Sequence, residues 1–318
     1  MASYKFSCTQ LFVDIFRQSD DKNKADISRI ISEYKIDCVI NQLIKDDFIK
    51  YLSVGVKIIS VCHVQPFCYD NITRERIWKT NAQNSRQLLF KISSLLLPKL
   101  QEWFHNHGVA DEYKKVIDKS ERVCFISDKF FERVFRHIPD INKDKLCAIN
   151  NPNTFFVDKA NNTKENIMLY VGRVENGQKN TIDFVRSWEL LYKSNKDWRA
   201  IVVGDGSDLE FNKRYAISHK IERIEFVGQQ DDVAPFYKKS KIIVVTSYGE
   251  SWCMAITEGM ANGCIPFVYD TYESLRDIVD NEINGFIVKP TPHFMAAAIQ
   301  EYIDNSSRYN KMVNSAKE

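Results

Sequence analysis

The sequence predicts an α/β protein of two domains, each built on a parallel sheet covered by helices. Three observations predict it. Short apolar runs recur along the second half, several of them ending at a glycine. Helical stretches separate these runs, which is the pattern of βαβ units and a parallel sheet buried on both faces. The 318 residues suffice for roughly two domains.

In the first half, Ile36 to Ile40, Val56 to Val61, Val123 to Ile126 and Leu146 to Ile149 read as strands. Residues 73–119 read as long helices broken at Pro98 and Gly108, residues that interrupt a helical pattern. Within that region Leu88 to Leu97 is amphipathic. A core-facing helix is favoured there over a helix lying on a membrane. A boundary is expected near Asn150-Asn151-Pro152-Asn153 and the polar run Lys159 to Asn166. It gives an amino-terminal domain over 1–152 and a carboxyl-terminal domain over 160–318.

The second half alternates more clearly. Ile167 to Val171 reads as a strand ending at Gly172, followed by a helix from about Asn180 to Tyr192. Trp198 to Val203 is the next strand, closed by Gly204-Asp205-Gly206, and a helix runs to His219. Ile224 to Val227 is a strand ending in Gly228, and Asp232 to Lys239 a short helix. Ile242 to Val245 is an apolar strand, then Met254 to Ala261 a helix. Ile265 to Val268 and Gly285 to Val288 close the series. Such sheets bind ligands at the carboxyl ends of their strands.

Composition excludes a disordered or low-complexity chain: 44% of residues are hydrophobic and the net charge is +2. No uncharged apolar stretch is long enough to cross a membrane. The first residues carry no signal-peptide pattern, so a cytoplasmic setting is expected. The eight cysteines (Cys8, Cys38, Cys62, Cys68, Cys124, Cys147, Cys253, Cys264) form no C-x-x-C pair and read as free thiols of a reducing compartment. Residues 1–150 hold 24 basic and 19 acidic side chains, a charge of +5, and residues 151–318 hold 20 and 23, a charge of −3. That is too weak for nucleic-acid binding. It suits a half that meets an anionic acceptor or a membrane surface peripherally.

The chemistry concentrates in two loops. Glu250 and Glu258 lie eight residues apart, Glu250 just after a strand and Glu258 in the next helix. That helix is expected to begin near Trp252 or Cys253, and its free N–H groups suit a diphosphate. The carboxylates could then accept hydroxyl pairs on either side of the phosphates. After the strand ending at Val171, Arg173 and Lys179 emerge beside another helix start, two cations suited to a leaving diphosphate. Each feature alone is an ordinary surface pattern; their place in one sheet is what joins them.

Together these motifs resemble glycosyltransferase family 4. The resemblance rests on Val171-Gly172-Arg173 with Lys179, on Gly204-Asp205-Gly206 and on Phe226-Val227-Gly228. It continues through Ser247-Tyr248-Gly249-Glu250, Glu258-Gly259-Met260-Ala261-Asn262-Gly263 with Pro266, and Asn284-Gly285. It is strong over about 165–318. It implies a GT-B fold, two Rossmann-like domains facing across a cleft, and retaining transfer of a sugar from a nucleotide-sugar donor to a glycan, lipid-linked or polysaccharide acceptor. It implies that Arg173 and Lys179 hold the diphosphate, beside Gly172. Glu258 would bind the ribose, and Glu250 would touch the transferred sugar with backbone N–H groups at Trp252, Cys253 and Met254. The loop after Gly228 would border the base. Ser251-Trp252 stands where Gly-Phe is more usual, and Thr271-Tyr272 where the family has a Gly-Gly turn, with Asp277 near the place of a following Glu.

The amino-terminal half resembles the family more loosely. Val61-Cys62-His63 with Pro66-Phe67 looks like the strand whose histidine approaches the donor sugar and acceptor. The family's opening strand and Gly-rich loop have no counterpart in residues 1–25, which contain no glycine, so an incomplete amino-terminal domain is expected. No Asp-x-Asp occurs, so neither a metal nor another cofactor is expected. Two alternatives stay open: a donor-binding subunit inactive by itself, and another GT-B enzyme such as an epimerase.

Overall fold

The computed structural model describes residues 20–42, 49–52, 55–67, 98–153, 164–305 and 312. The expected amphipathic stretch Leu88 to Leu97 and the glycine-free residues 1–19 lie outside them. The chain divides into two compact units.

Among the described residues, the first unit holds four parallel strands: β1 (Cys38–Asn41), β2 (Lys57–Cys62), β3 (Arg122–Phe125) and β4 (Leu146–Ala148), paired in that order. Helix α1 (Asp20–Glu33) precedes them, α2 (Pro98–Lys119) joins β2 to β3 in sequence, and α3 (Phe131–His137) follows β3. The strands lie within a residue or two of the apolar runs that specify them. Helix α2 does not break at Gly108, as expected from sequence, but runs through it. A mid-helix glycine costs only about 1 kcal/mol relative to alanine. Burial of Tyr113, Val116 and Ile117 on the same helix outweighs that. The thiols of Cys124 and Cys147, register partners on β3 and β4, lie 2.8 Å apart.

Among the described residues, the second unit holds six parallel strands: β5 (Glu165–Val171), β6 (Arg199–Val203), β7 (Ile224–Gly228), β8 (Ser240–Val245), β9 (Ile265–Tyr269) and β10 (Phe286–Val288). Their spatial order is β10-β9-β8-β5-β6-β7. The chain therefore builds outward from β5 in one direction, then returns to its other side with β8. The helices are α4 (Thr181–Leu191), α5 (Leu209–Ser218), α6 (Ala234–Lys239), α7 (Met254–Ala261) and α8 (Pro292–Asp304). Alternate strand residues face opposite layers. Met168, Tyr170, Ala200, Val202, Ile242 and Val244 pack with Phe184, Trp188 and Met295 of α4 and α8. Ile167, Leu169, Ile201, Val203 and Ile243 pack with Tyr237 of α6 on the other face. Burial on both faces explains why these strands read as unbroken apolar runs.

The Gly204-Asp205-Gly206 motif has a steric cause. A Cβ at Gly204 would lie 1.9 Å from the Gly172 carbonyl oxygen, and one at Gly206 2.3 Å from that of Val174. The loops after β5 and β6 thus run backbone against backbone, joined by Val174 N–H to the Asp205 carbonyl at 2.9 Å.

Candidate functional site

The order reversal between β5 and β8 opens a crevice at their carboxyl ends. A cavity of about 290 Å³ lies there. Gly172 at the end of β5 lines it, with Lys179 from the following loop. So do Glu250 from the loop after β8, Trp252, Cys253 and Met254 at the entry to α7, and Glu258 within α7. Seven sequence-designated residues therefore share one wall. Helix α7 begins at Met254, one or two residues later than expected, with Cys253 as its extended N-cap. The first residues of α7 belong to this lining, and a helix N-terminus favours an anion.

Three designated residues stand elsewhere. Arg173 is not among the lining residues; its guanidinium is exposed and pairs with Glu175 at 3.0 Å. Gly228 ends β7, an edge strand, with φ of +73°, and its carbonyl accepts from the Gly204 N–H at 2.8 Å. His63 follows β2 in the first unit, exposed, with Nε2 2.7 Å from Gln42 Oε1.

Glu250 is 8% exposed. One of its oxygens, Oε1, accepts from Lys179 Nζ at 2.6 Å and from Ser247 Oγ at 2.7 Å. A carboxylate this buried requires such partners, and charge-assisted bonds are the strong kind. Glu258 is half-buried, and burial raises its pKa; a hydrogen bond from Tyr237, 2.8 Å to Oε2, opposes the rise. Burial, then the charge of Glu250, pushes the Cys253 thiol up to about 12 against the opposing pull of Lys179. Cys253 is thus a neutral wall residue at ordinary pH, not a nucleophile.

The loops that carry Lys179 and Glu250 are tied to each other. Gln178 donates from Nε2 to the Gly249 carbonyl at 2.9 Å, and its own carbonyl accepts the Tyr248 N–H at 2.8 Å. Thr246 Oγ1 donates to the Asn180 carbonyl at 2.9 Å. From the other side, Thr271 Oγ1 donates to the Ser247 carbonyl at 2.6 Å and Ser274 Oγ to that of Ser251 at 2.7 Å. The segment at the expected Gly-Gly turn therefore anchors the Glu250 loop. Sequence reasoning missed Gln178 and Tyr237; no short-range pattern distinguishes them before the elements are brought together.

Residues 152–318, just over half of the chain, match the family described as glycosyl transferases group 1. The chain belongs to the group 1 glycosyltransferases. It is 25% identical over 177 residues to an uncharacterized glycosyltransferase of Haemophilus influenzae, covering 55% of this chain and 50% of that one. It is 27% identical over 179 residues to the lipopolysaccharide 1,6-galactosyltransferase of Salmonella typhimurium, covering 53% and 47%. The chain spans about half the length of the curated relatives it matches. Among solved structures it resembles HepE of Anabaena in complex with UDP, with a TM-score of 0.68 at 13% identity over 92% of this chain and 76% of that one. It also resembles the lipopolysaccharide outer core galactosyltransferase WaaB, with a TM-score of 0.57 at 19% identity over 94% and 72%. These likenesses show the fold: two Rossmann-like α/β units, as in GT-B proteins. Among the described residues, no group of three His, Cys, Asp or Glu could hold a metal ion. Nor is any described helix long and apolar enough to cross a membrane.

Proposed function

We propose that this chain transfers a sugar from a nucleoside-diphosphate sugar to a glycan or lipid-linked acceptor, with retention at the anomeric carbon and without a metal. One observation carries the reading. Lys179, Glu250 and Glu258 converge with the start of α7 on one cavity at the strand-order reversal. Lys179 gives one N–H to Glu250, and its ammonium has two more for diphosphate oxygens. Paired with Lys179, the Glu250 charge is neutralised beside an anionic ligand while its other oxygen can accept from a sugar hydroxyl. Glu258 accepts the ribose hydroxyls. The N–H groups at Cys253 and Met254, at the start of α7, face the phosphates.

In this account the rate comes mainly from electrostatic stabilisation of the leaving diphosphate. No side chain supplies a nucleophile, and the donor's own phosphate takes the acceptor proton. Arg173 reaches the phosphates from the rim, the turn at Gly228 borders the base, and His63 serves the acceptor side. The names of the Salmonella relative and of a Campylobacter jejuni N-acetylgalactosaminyltransferase acting on an undecaprenol-linked glycan support a lipid-linked or polysaccharide acceptor; a cytoplasmic, membrane-peripheral setting is part of the same proposal.

The test is calorimetric titration with UDP, GDP and ADP, followed by transfer assays with the sugar nucleotides of the base that binds. Binding of one of the three is expected, with an anomeric product configuration matching the donor by NMR and activity surviving excess chelator. Binding of none would reject the reading.

A further inference from the structure

We propose that Tyr237 is a positioning residue that holds the Glu258 carboxylate for the ribose of a bound nucleotide. The inference rests on the reading of Glu258 as the ribose carboxylate.

Tyr237 is fully buried at the end of α6, yet it lines the same cavity as Glu258. Its hydroxyl donates to Glu258 Oε2 at 2.8 Å. Burial, with the Glu258 charge beside it, pushes the phenol far above its usual range, so it remains a donor. The bond engages one oxygen and leaves Oε1, with its lone pairs, for ligand hydroxyls.

The donor is itself immobilised. Its ring packs among Ile167, Leu169, Ile243 and Cys264. Its carbonyl accepts from Lys164 Nζ at 2.8 Å and from the Cys264 thiol at 3.1 Å. Lys164 Nζ also donates to the carbonyl of Asn262, the residue that ends α7, at 2.5 Å. One cation thus ties the end of the helix that carries Tyr237 to the end of the helix that carries Glu258. A glutamate has several rotatable bonds, and ordering it at the moment of binding costs entropy. Held by a rigid phenol, Glu258 is ordered in advance. The arrangement makes recognition of ribose, rather than of phosphate, the property that depends on Tyr237.

The experiment compares affinities for the tightest of UDP, GDP and ADP and for its 2′-deoxy counterpart by calorimetry, in the wild type, Glu258→Gln and Tyr237→Phe. The preference for ribose is expected to fall by about three- to tenfold in Tyr237→Phe, with a larger fall in Glu258→Gln. The thermal midpoint of Tyr237→Phe is measured first; that variant keeps the ring and loses one oxygen. A purely structural role would lower the midpoint and leave the preference unchanged. If Glu258→Gln loses the preference and Tyr237→Phe keeps it, the proposal is overturned while the ribose reading stands. If Glu258→Gln keeps it, or no nucleotide binds, the ribose reading fails and the proposal with it. Should Tyr237→Phe not fold, Lys164→Met replaces it; that variant removes the cation that ties the Tyr237 carbonyl to the end of α7 and leaves Glu258 itself intact. A fall in the ribose preference then supports the proposal, and an unchanged preference overturns it.

Discussion

The two ends of the six-stranded sheet carry cavities of similar size and different character. At the carboxyl ends the cavity is about 290 Å³; at the amino ends of β5, β6 and β7 a second one is about 310 Å³. The second is the more heavily charged, with Glu165, Asp197, Glu225, Lys196, Arg199 and Arg223 around it. Those charges serve the sheet. Arg199 pairs with Glu165 at 2.6 Å across β5 and β6, and Asn166 Nδ2 donates to Asp197 at 2.5 Å. At the carboxyl ends the charged groups are fewer and more buried, and a helix N-terminus faces them. Neither volume nor charge count separates a binding site from a sheet edge. Strand order does, because only where β8 returns beside β5 do the following loops part.

Lys179 separates the two ends of the sheet most strongly. Lys179→Ala removes the cation for the leaving diphosphate, and transfer is expected to fall by a factor of about 10² or more, measured as kcat. It also strips a 9%-exposed carboxylate of its ion-pair partner, so the thermal midpoint should drop. The counterpart at the other end, Arg199→Ala, should leave kcat within about twofold, because exposed ion pairs contribute little. Next in size, Glu258→Ala should weaken nucleotide binding by about ten- to a hundredfold in calorimetry. Arg173→Ala should cost only about threefold, since that side chain is 57% exposed and paired with Glu175. A loss as large as that of Lys179→Ala would bring Arg173 into the cavity.

The smallest effect is a pH dependence. Burial raises the Glu258 pKa, so the folded state holds that proton more tightly than the unfolded chain. Its contribution to stability is present below the ordinary glutamate range and is lost as pH rises through the raised value. Glu258→Gln should flatten that part of a denaturation-versus-pH curve. Nucleotide affinity should move the opposite way, weakening as pH falls into the same range and the carboxylate protonates. Affinity independent of pH there would remove Glu258 from the ribose.

The sheet of the second unit was legible because its strands are buried on both faces and leave unbroken apolar runs. The Glu250–Glu258 spacing was legible because a strand end and a helix turn fix it locally. Tyr237 was not, since it meets Glu258 only after α6 packs beside α7, 21 residues apart in sequence. Gln178 bridges two loops 71 residues apart, and nothing near it marks that. Gly108 misled for the converse reason: a local helix breaker was overridden by burial of the residues that follow it. Helix α8 went unread although Thr291-Pro292 carries its start signal, with Thr291 Oγ1 accepting the Phe294 N–H.

On the proposed function, the reversal of strand order, and not the opposite sheet edge, makes the nucleotide site. Calorimetric titration of the tightest-binding nucleoside diphosphate into wild type, Lys179→Ala and Arg199→Ala tests it directly. Affinity is expected to be lower by about tenfold or more in Lys179→Ala and unchanged within about twofold in Arg199→Ala. Equal affinity in wild type and Lys179→Ala, or a matching loss in Arg199→Ala, would contradict it.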